Sequence, residues 1–506
     1  MKYKLYLTAC LLVLGLSCAH AVPAKKGVKR TLKLADGTSV VAELKGDEFA
    51  SYWQADDGKC YVQDIDSRTF KITDKAQVVN RGLAKRQKAN DERIKRFAKR
   101  GPKREITGAF SHFTGTKKGL IILVNFKDVK FGRTHTRTMF DNIANKIGFT
   151  NSLGFKGSVK DYFLAQSNGQ FELDFDVVGP YTLSQNMAYY GAHSKDGLQD
   201  VKPGHMILEA CQMADKDVNY KDYDWDGDGE VDQVFVIYAG FGEADGGSED
   251  TIWPHESQLS TWVSKPYETK DGVSVNTYAC GNENTYDMLG RSRINGIGTI
   301  CHEFSHCLGY PDLYDTNYSN FGMGSFDLMC SGSYNGESFC PPNYSAYEKW
   351  VAGWIKPTIL DKPASVKGMQ AQDVKYGQAF VVYNDNNKNE YYLIENRQQN
   401  VGIWDKLLPA SGMMITHVDY DENIWEWNNV NTIVNYSNQY GPEYAYRDND
   451  HQRLTIFHAD NEEGSSADSQ AGDLYPYKDN NSLTDTSSPA ATIYQGGTTM
   501  GKPITN

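Results

Sequence analysis

The sequence predicts an α+β chain built in several parts, on three observations. Residues 22–104 are basic and patterned as short strands. Residues from about 119 to 357 mix buried strands with helices, and residues 358–506 return to strands separated by Asp, Asn and Gly clusters. The third observation is charge. The formal balance of −12 is uneven: residues 22–104 hold 21 Lys/Arg against 11 Asp/Glu, which leaves residues 105–506 at −24. A basic front on an acidic body argues against a nucleic-acid binder and fits a front segment that docks electrostatically on the body. A solvated basic linker is the alternative reading. At 506 residues the chain is long enough for two or three domains with sizeable cores.

Residues 1–21 read as an export signal. Lys2 and Lys4 form the charged end, Leu5 to Leu16 the apolar run, and Ala19-His20-Ala21 a small-x-small cleavage site. Secretion follows, with an outer-membrane lipoprotein anchored through Cys18 as the lesser alternative. No later stretch is long and apolar enough to span a membrane. Beyond the signal lie seven cysteines, Cys60 alone in the basic front and six in the acidic body, and their pairing is not readable from spacing.

Within the front, Thr38–Leu44 and Tyr61–Ile72 alternate as strands, with turns at Asp36-Gly37 and Asp57-Gly58. The Lys/Arg-rich stretch from Arg81 to Arg104 reads as an exposed linker open to nicking, so 22–104 is read as a propeptide. A small permanent N-terminal domain is the alternative. The body then divides at about 357 into a mixed helix-and-strand unit, 105–357, which holds most of the residues read below, and a β-rich C-terminal domain, 358–506. Gly119–Phe126 has the composition of a buried strand, Ser158 caps a helix, Phe171–Val178 alternates as a strand, and Ile207–Ala214 is helical in pattern. Asp224, Asp226, Asp228, Glu230 and Asp232, with Gly229 at the sixth position, match a calcium loop. Phe235 stands where such loops carry a closing glutamate, so water or a distant residue must complete the site. His255, His417 and Asp419 are read as structural.

One stretch organises the rest. His302 and His306 stand four residues apart, so on a helix they share a face and can grip one metal ion. Glu303 then sits beside the ion, placed to take a proton from a metal-bound water. Gly309 suits a left-handed helix cap, and Asp312, six residues after His306, returns as a third, oxygen ligand. Met329, in the small-residue turn Gly324–Tyr334, supplies a hydrophobic floor or ordinary core packing. Tyr344–Trp354 patterns as a closing helix, ended by Pro357.

With these pieces in place the chain resembles the immune inhibitor A-type metallopeptidases, secreted bacterial proteases related to the metzincins. The resemblance runs from about Gly119 and rests on Leu120–Phe126, Gly157–Phe163, Asp224–Asp232, Ile252–His255, the metal helix with Pro311–Asp315, Asp327–Gly332 and Tyr392–Arg397. It implies a metzincin-like zinc endopeptidase acting on proteins or peptides. His302, His306 and Asp312 correspond to the zinc ligands, with Asp315 a weaker candidate for the third. Glu303 corresponds to the general base and Met329 to the methionine turn, and a calcium loop is consistent with it. Metzincins usually carry histidine where Asp312 stands. Tyr334 is a further candidate for the oxyanion, and the propeptide is the expected intramolecular inhibitor, by Cys60 on the zinc or by the basic segment over an acidic cleft. Two rival readings stay open, a non-catalytic metal-containing surface binding protein and a calcium-dependent adhesin.

Overall fold

The computed structural model describes residues 19–20, 22–83, 85–86 and 113–505, apart from 196, 198, 288, 374, 465 and 466. The apolar signal run Leu5–Leu16, Cys18 and residues 87–104 of the basic stretch Arg81–Arg104 lie outside the described residues.

The run Leu120–Val124 is buried on both sides because its strand, Gly115–Asn125, lies inside a sheet covered on both faces. Its neighbours are Phe171–Thr182 and Val234–Phe241, both parallel to it, and Thr277–Tyr286 continues the parallel set beyond Val234–Phe241. His255–Gln258 then pairs antiparallel with Thr277–Tyr286. The α+β expectation therefore holds as a mixed helix-and-strand chain, but the main sheet is largely parallel. Helices cross over between its strands, as parallel neighbours require.

Alternate residues of these strands feed two cores. Ile121, Leu123, Phe235 and Ile237 face Ile300 and Phe304 of the helix Ile297–Cys307 and Phe163 of the helix Val159–Gln166. Leu120, Ile122, Val234 and Val236 face the other way, onto Met206, Ile207 and Ala210 of the helix Pro203–Ala214. Ser158 caps its helix with a full capping box to Asp161, as its sequence predicts.

Residues 29–73 form a five-stranded antiparallel meander. The expected single strand Tyr61–Ile72 is two strands, Cys60–Gln63 and Phe70–Thr73, because Asp64 collects the Ser67 amide in a turn between them. The start of the expected linker is also different. Residues 75–83 and 85–86 are helical, and Arg86 is buried in an ion pair with Asp47. From 358 onward a second five-stranded sheet forms, with Ala379–Tyr383, Glu390–Arg397 and Gly412–Asp419 at its centre. Val381, Tyr391, Leu393 and Met414 join the core that holds the metal helix, so this sheet packs directly on it.

Candidate metal centre

The helix Ile297–Cys307 is buried along its whole length. Its close seat depends on Gly298: a side chain there would place a Cβ 1.9 Å from the Ser333 carbonyl oxygen. Gly309 follows the helix with φ +101° and donates its N–H to His306 O at 2.9 Å, the cap its position predicts.

The next turn brings Asp312 back over the helix. His302 Nε2 and His306 Nε2 lie 3.2 Å apart, and each is 3.3 Å from Asp312 Oδ1. Zinc–ligand bonds of about 2.0–2.1 Å in a tetrahedron put ligand atoms roughly 3.3 Å from one another. The three atoms therefore fit one such ion, and the donor set, two imidazoles and a carboxylate, suits it. Each imidazole is oriented from behind. His302 Nδ1 donates to Leu328 O and His306 Nδ1 to Tyr310 O, both at 2.8 Å. A carbonyl only accepts, so the proton sits on Nδ1 and the Nε2 lone pair is the one that would ligate an ion held between the three side chains. Burial holds His302 below its ordinary pKa, which keeps it in the neutral, ligating form.

Asp312 is oriented just as firmly, by a residue its surrounding sequence does not reveal. Asn428, from the C-terminal unit, donates Nδ2–H to Asp312 Oδ2 at 2.7 Å and accepts Asp312 N–H on Oδ1 at 2.6 Å. This two-point clamp turns Oδ1 toward the histidines. Asp315, the weaker candidate, is spent elsewhere: its carboxylate accepts the amides of Asn317, Ser319 and Asn320.

Met329 is fully buried beneath the helix. Asp327 Oδ1 accepts its N–H at 2.7 Å, and its own carbonyl accepts Leu313 N–H at 2.8 Å. The turn thus ties His302, through Leu328, to the segment carrying Asp312.

Glu303 is fully buried, and burial, with the nearby charges of Asp312 and Glu256, pushes its carboxyl well above the ordinary carboxylate range. Its Oε1 accepts the backbone N–H of Val22 at 2.7 Å. Trp253 Nε1–H donates to Val22 O at 2.9 Å, and Tyr334 O–H to Pro23 O at 2.6 Å. Tyr334, the oxyanion candidate, therefore lines the cleft but is bonded to the front segment. Just upstream, Ala19–His20 adds an antiparallel strand to His255–Gln258. Cys60 is corrected as an inhibitory ligand: it packs with Tyr52 and Val78 inside the front meander, where its sulfur meets Gly58 O, and it is absent from the metal-binding group.

In the acidic loop, Asp224, Asp226 and Asp232 converge within reach of one ion. The Asp228 carboxylate instead accepts Glu230 N–H, and the Glu230 carboxylate meets Thr277. His255 is structural, as read: its nitrogens meet Trp253 O and Tyr278 Oη, and burial lowers its pKa to about 3. His417 and Asp419 are engaged by Glu390 and by His451 and Arg453.

Two imidazoles and a carboxylate thus converge beside a buried glutamate that the front segment reaches. Residues 113–359 match the family model described as the immune inhibitor A peptidase M6 catalytic domain. The chain is similar to the pre-pro-metalloprotease PrtV of Vibrio cholerae serotype O1, at 26% identity over 281 residues, covering 48% of this chain and 30% of PrtV. It is also similar to immune inhibitor A of Bacillus thuringiensis subsp. alesti, at 26% identity over 296 residues, covering 50% of this chain and 42% of the relative. The chain thus spans less than half the length of the curated relatives it matches. Among the described residues, no helix is long and apolar enough to cross a membrane.

Proposed function

We propose that the chain is a secreted, metzincin-like zinc endopeptidase made as a latent precursor. The observation that carries the reading is the convergence of His302, His306 and Asp312 beside Glu303. A zinc ion held there would act as a Lewis acid on a water and on the carbonyl of the bond to be cleaved. Glu303 supplies the proton chemistry. Its carboxylate takes a proton from the attacking water and returns it to the leaving nitrogen. The Val22 nitrogen, 2.7 Å from Glu303 Oε1, supports this role and is taken as a stand-in for that leaving nitrogen.

Latency is supported by the same contact. Residues 22–25 fill the cleft, and removal of a signal after Ala21 would make the Val22 nitrogen a free amino terminus against Glu303. The charge reading points the same way, with Arg30 paired to Glu249 and Arg68 to Asp250. The name of the Vibrio relative, a pre-pro-metalloprotease, fits a precursor. We also retain calcium as the occupant of the Asp224–Asp226–Asp232 group, on its three convergent carboxylates.

The test is incubation of the purified, processed protein with casein, with and without a zinc chelator. Hydrolysis that the chelator stops and zinc restores is the expected result. Absence of hydrolysis after removal of residues 22–104 would favour the binding-protein reading.

A further inference from the structure

We propose that the cleft contains a subsite for a lysine or arginine side chain of the substrate, formed by Asp245, Thr285 and the Tyr286 carbonyl. This rests on the peptidase reading above and adds a substrate class to it. The wall carrying Asp245 follows Gly240-Phe241-Gly242-Glu243, a stretch to which the metal chemistry gives no role.

The argument starts from the path of the front segment. Among the described residues, the strand His255–Gln258 has Thr277–Tyr286 on one side and the two-residue strand Ala19–His20 on the other. A strand edge of this kind accepts an extended peptide through main-chain hydrogen bonds. Past that pairing, Val22 N–H reaches Glu303, Trp253 and Tyr334 hold the carbonyls of Val22 and Pro23, and Lys25 N–H donates to Ala244 O at 2.9 Å. Every one of these contacts is to the backbone of the segment. They are open to any peptide that follows the same path, whatever its sequence.

Lys25 is where a side chain is read. Its Nζ donates to Thr285 Oγ1 and to Tyr286 O, both at 2.8 Å, and lies 4.0 Å from Asp245 Oδ1. The acidic partner is held in place independently of the lysine: Asn282 Nδ2–H donates to Asp245 Oδ2 at 2.6 Å and Thr285 O–H to Oδ1 at 3.1 Å. The Asp245 side chain is 2% exposed with the segment in place. Departure of the segment removes this cation and leaves a fixed carboxylate, a hydroxyl and a carbonyl aimed at one spot. A site built for an ammonium or guanidinium rejects a side chain that cannot pair with it, because its polar groups are then left without partners. Arg30, by contrast, pairs with Glu249 from within the front meander, so that pair belongs to docking and not to the extended path.

The Val22 nitrogen stands where the leaving nitrogen belongs, which makes Lys25 the fourth residue on the leaving-amine side of the cleaved bond. Two readouts on the full chain, processed by cleavage between 81 and 104, test the subsite. The first is sequencing of the products of a mixed peptide library, where lysine and arginine are expected to be enriched at the fourth residue and Asp245→Asn to remove the enrichment. The second needs no turnover: the fluorescently tagged hexapeptide Val-Pro-Ala-Lys-Lys-Gly, matching residues 22–27, is compared with a version carrying norleucine for the first lysine. The lysine peptide is expected to bind at least about 10-fold more tightly, and Asp245→Asn to bring the two together. Equal binding of the two peptides to the wild type overturns the subsite, and does so even if the variant fails to fold. A library left wholly uncut overturns the peptidase reading instead, while the hexapeptide comparison still decides the subsite.

Discussion

The two groups of metal-ligating side chains are built in opposite ways. His302, His306 and Asp312 are buried, and each is aligned by a partner behind it: the Leu328 and Tyr310 carbonyls and the Asn428 amide. Asp224 and Asp226 lie toward the surface, and Asp224 spends its oxygens on the amides of its own loop, Gly227 and Gly229. The first arrangement is held by partners outside the three ligating atoms. The second is held largely by the amides of its own loop, as a short acidic turn is. A preorganised, dry site suits chemistry, and a self-satisfied surface loop suits a brace that ions tighten.

The comparison breaks most sharply at Asp312. Asp312→Ala removes a ligand outright, and the affinity for zinc, measured by competition with a chromophoric chelator, is expected to fall more than about 100-fold, beyond the range usual for an outer partner. Next comes Asn428→Ala. It leaves all three ligand atoms in the chain but frees the Asp312 carboxylate to turn, so zinc affinity is expected to drop about 10- to 100-fold. The absorption spectrum of the cobalt-substituted protein should shift with it, a change that simple loss of stability would not produce. An unchanged affinity would show that the clamp is incidental.

Gly298→Ala probes the seating of the helix without touching a ligand. A Cβ 1.9 Å from the Ser333 carbonyl oxygen forces the helix and the methionine turn apart, at a cost on the order of 1–3 kcal/mol, read as a lower unfolding midpoint. The smallest effect belongs to the loop. Asp224→Asn is expected to lower Tm by about 2–4 °C in millimolar calcium and to change little in a calcium chelator. A wild-type Tm that ignores calcium would leave the loop as a solvated turn.

What the sequence made legible follows the same division. The spacing of His302, Glu303 and His306, the glycine cap and the return of Asp312 are all local, set by a helix and one turn. The calcium pattern is local too, yet only three of its five carboxylates converge; Glu230 turns instead to Thr277, 47 residues away. Asn428 lies 116 residues from Asp312, and Val22 lies 281 residues from Glu303. No periodicity connects positions so far apart. Only the packing of the second sheet and of the front segment onto the metal helix brings them together. Cys60 shows the reverse error. Its thiol chemistry suggested a zinc ligand, whereas its burial with Tyr52 and Val78 is that of a small core residue.

The central claim is that Glu303 moves the proton while His302, His306 and Asp312 hold the ion. It is met most directly by Glu303→Gln in the processed protein, with zinc content and casein hydrolysis measured on the same sample. The account predicts one zinc per chain, as in the wild type, and hydrolysis lost by at least about 100-fold. Hydrolysis near the wild-type rate in that variant, or a wild type that binds no zinc, would contradict it.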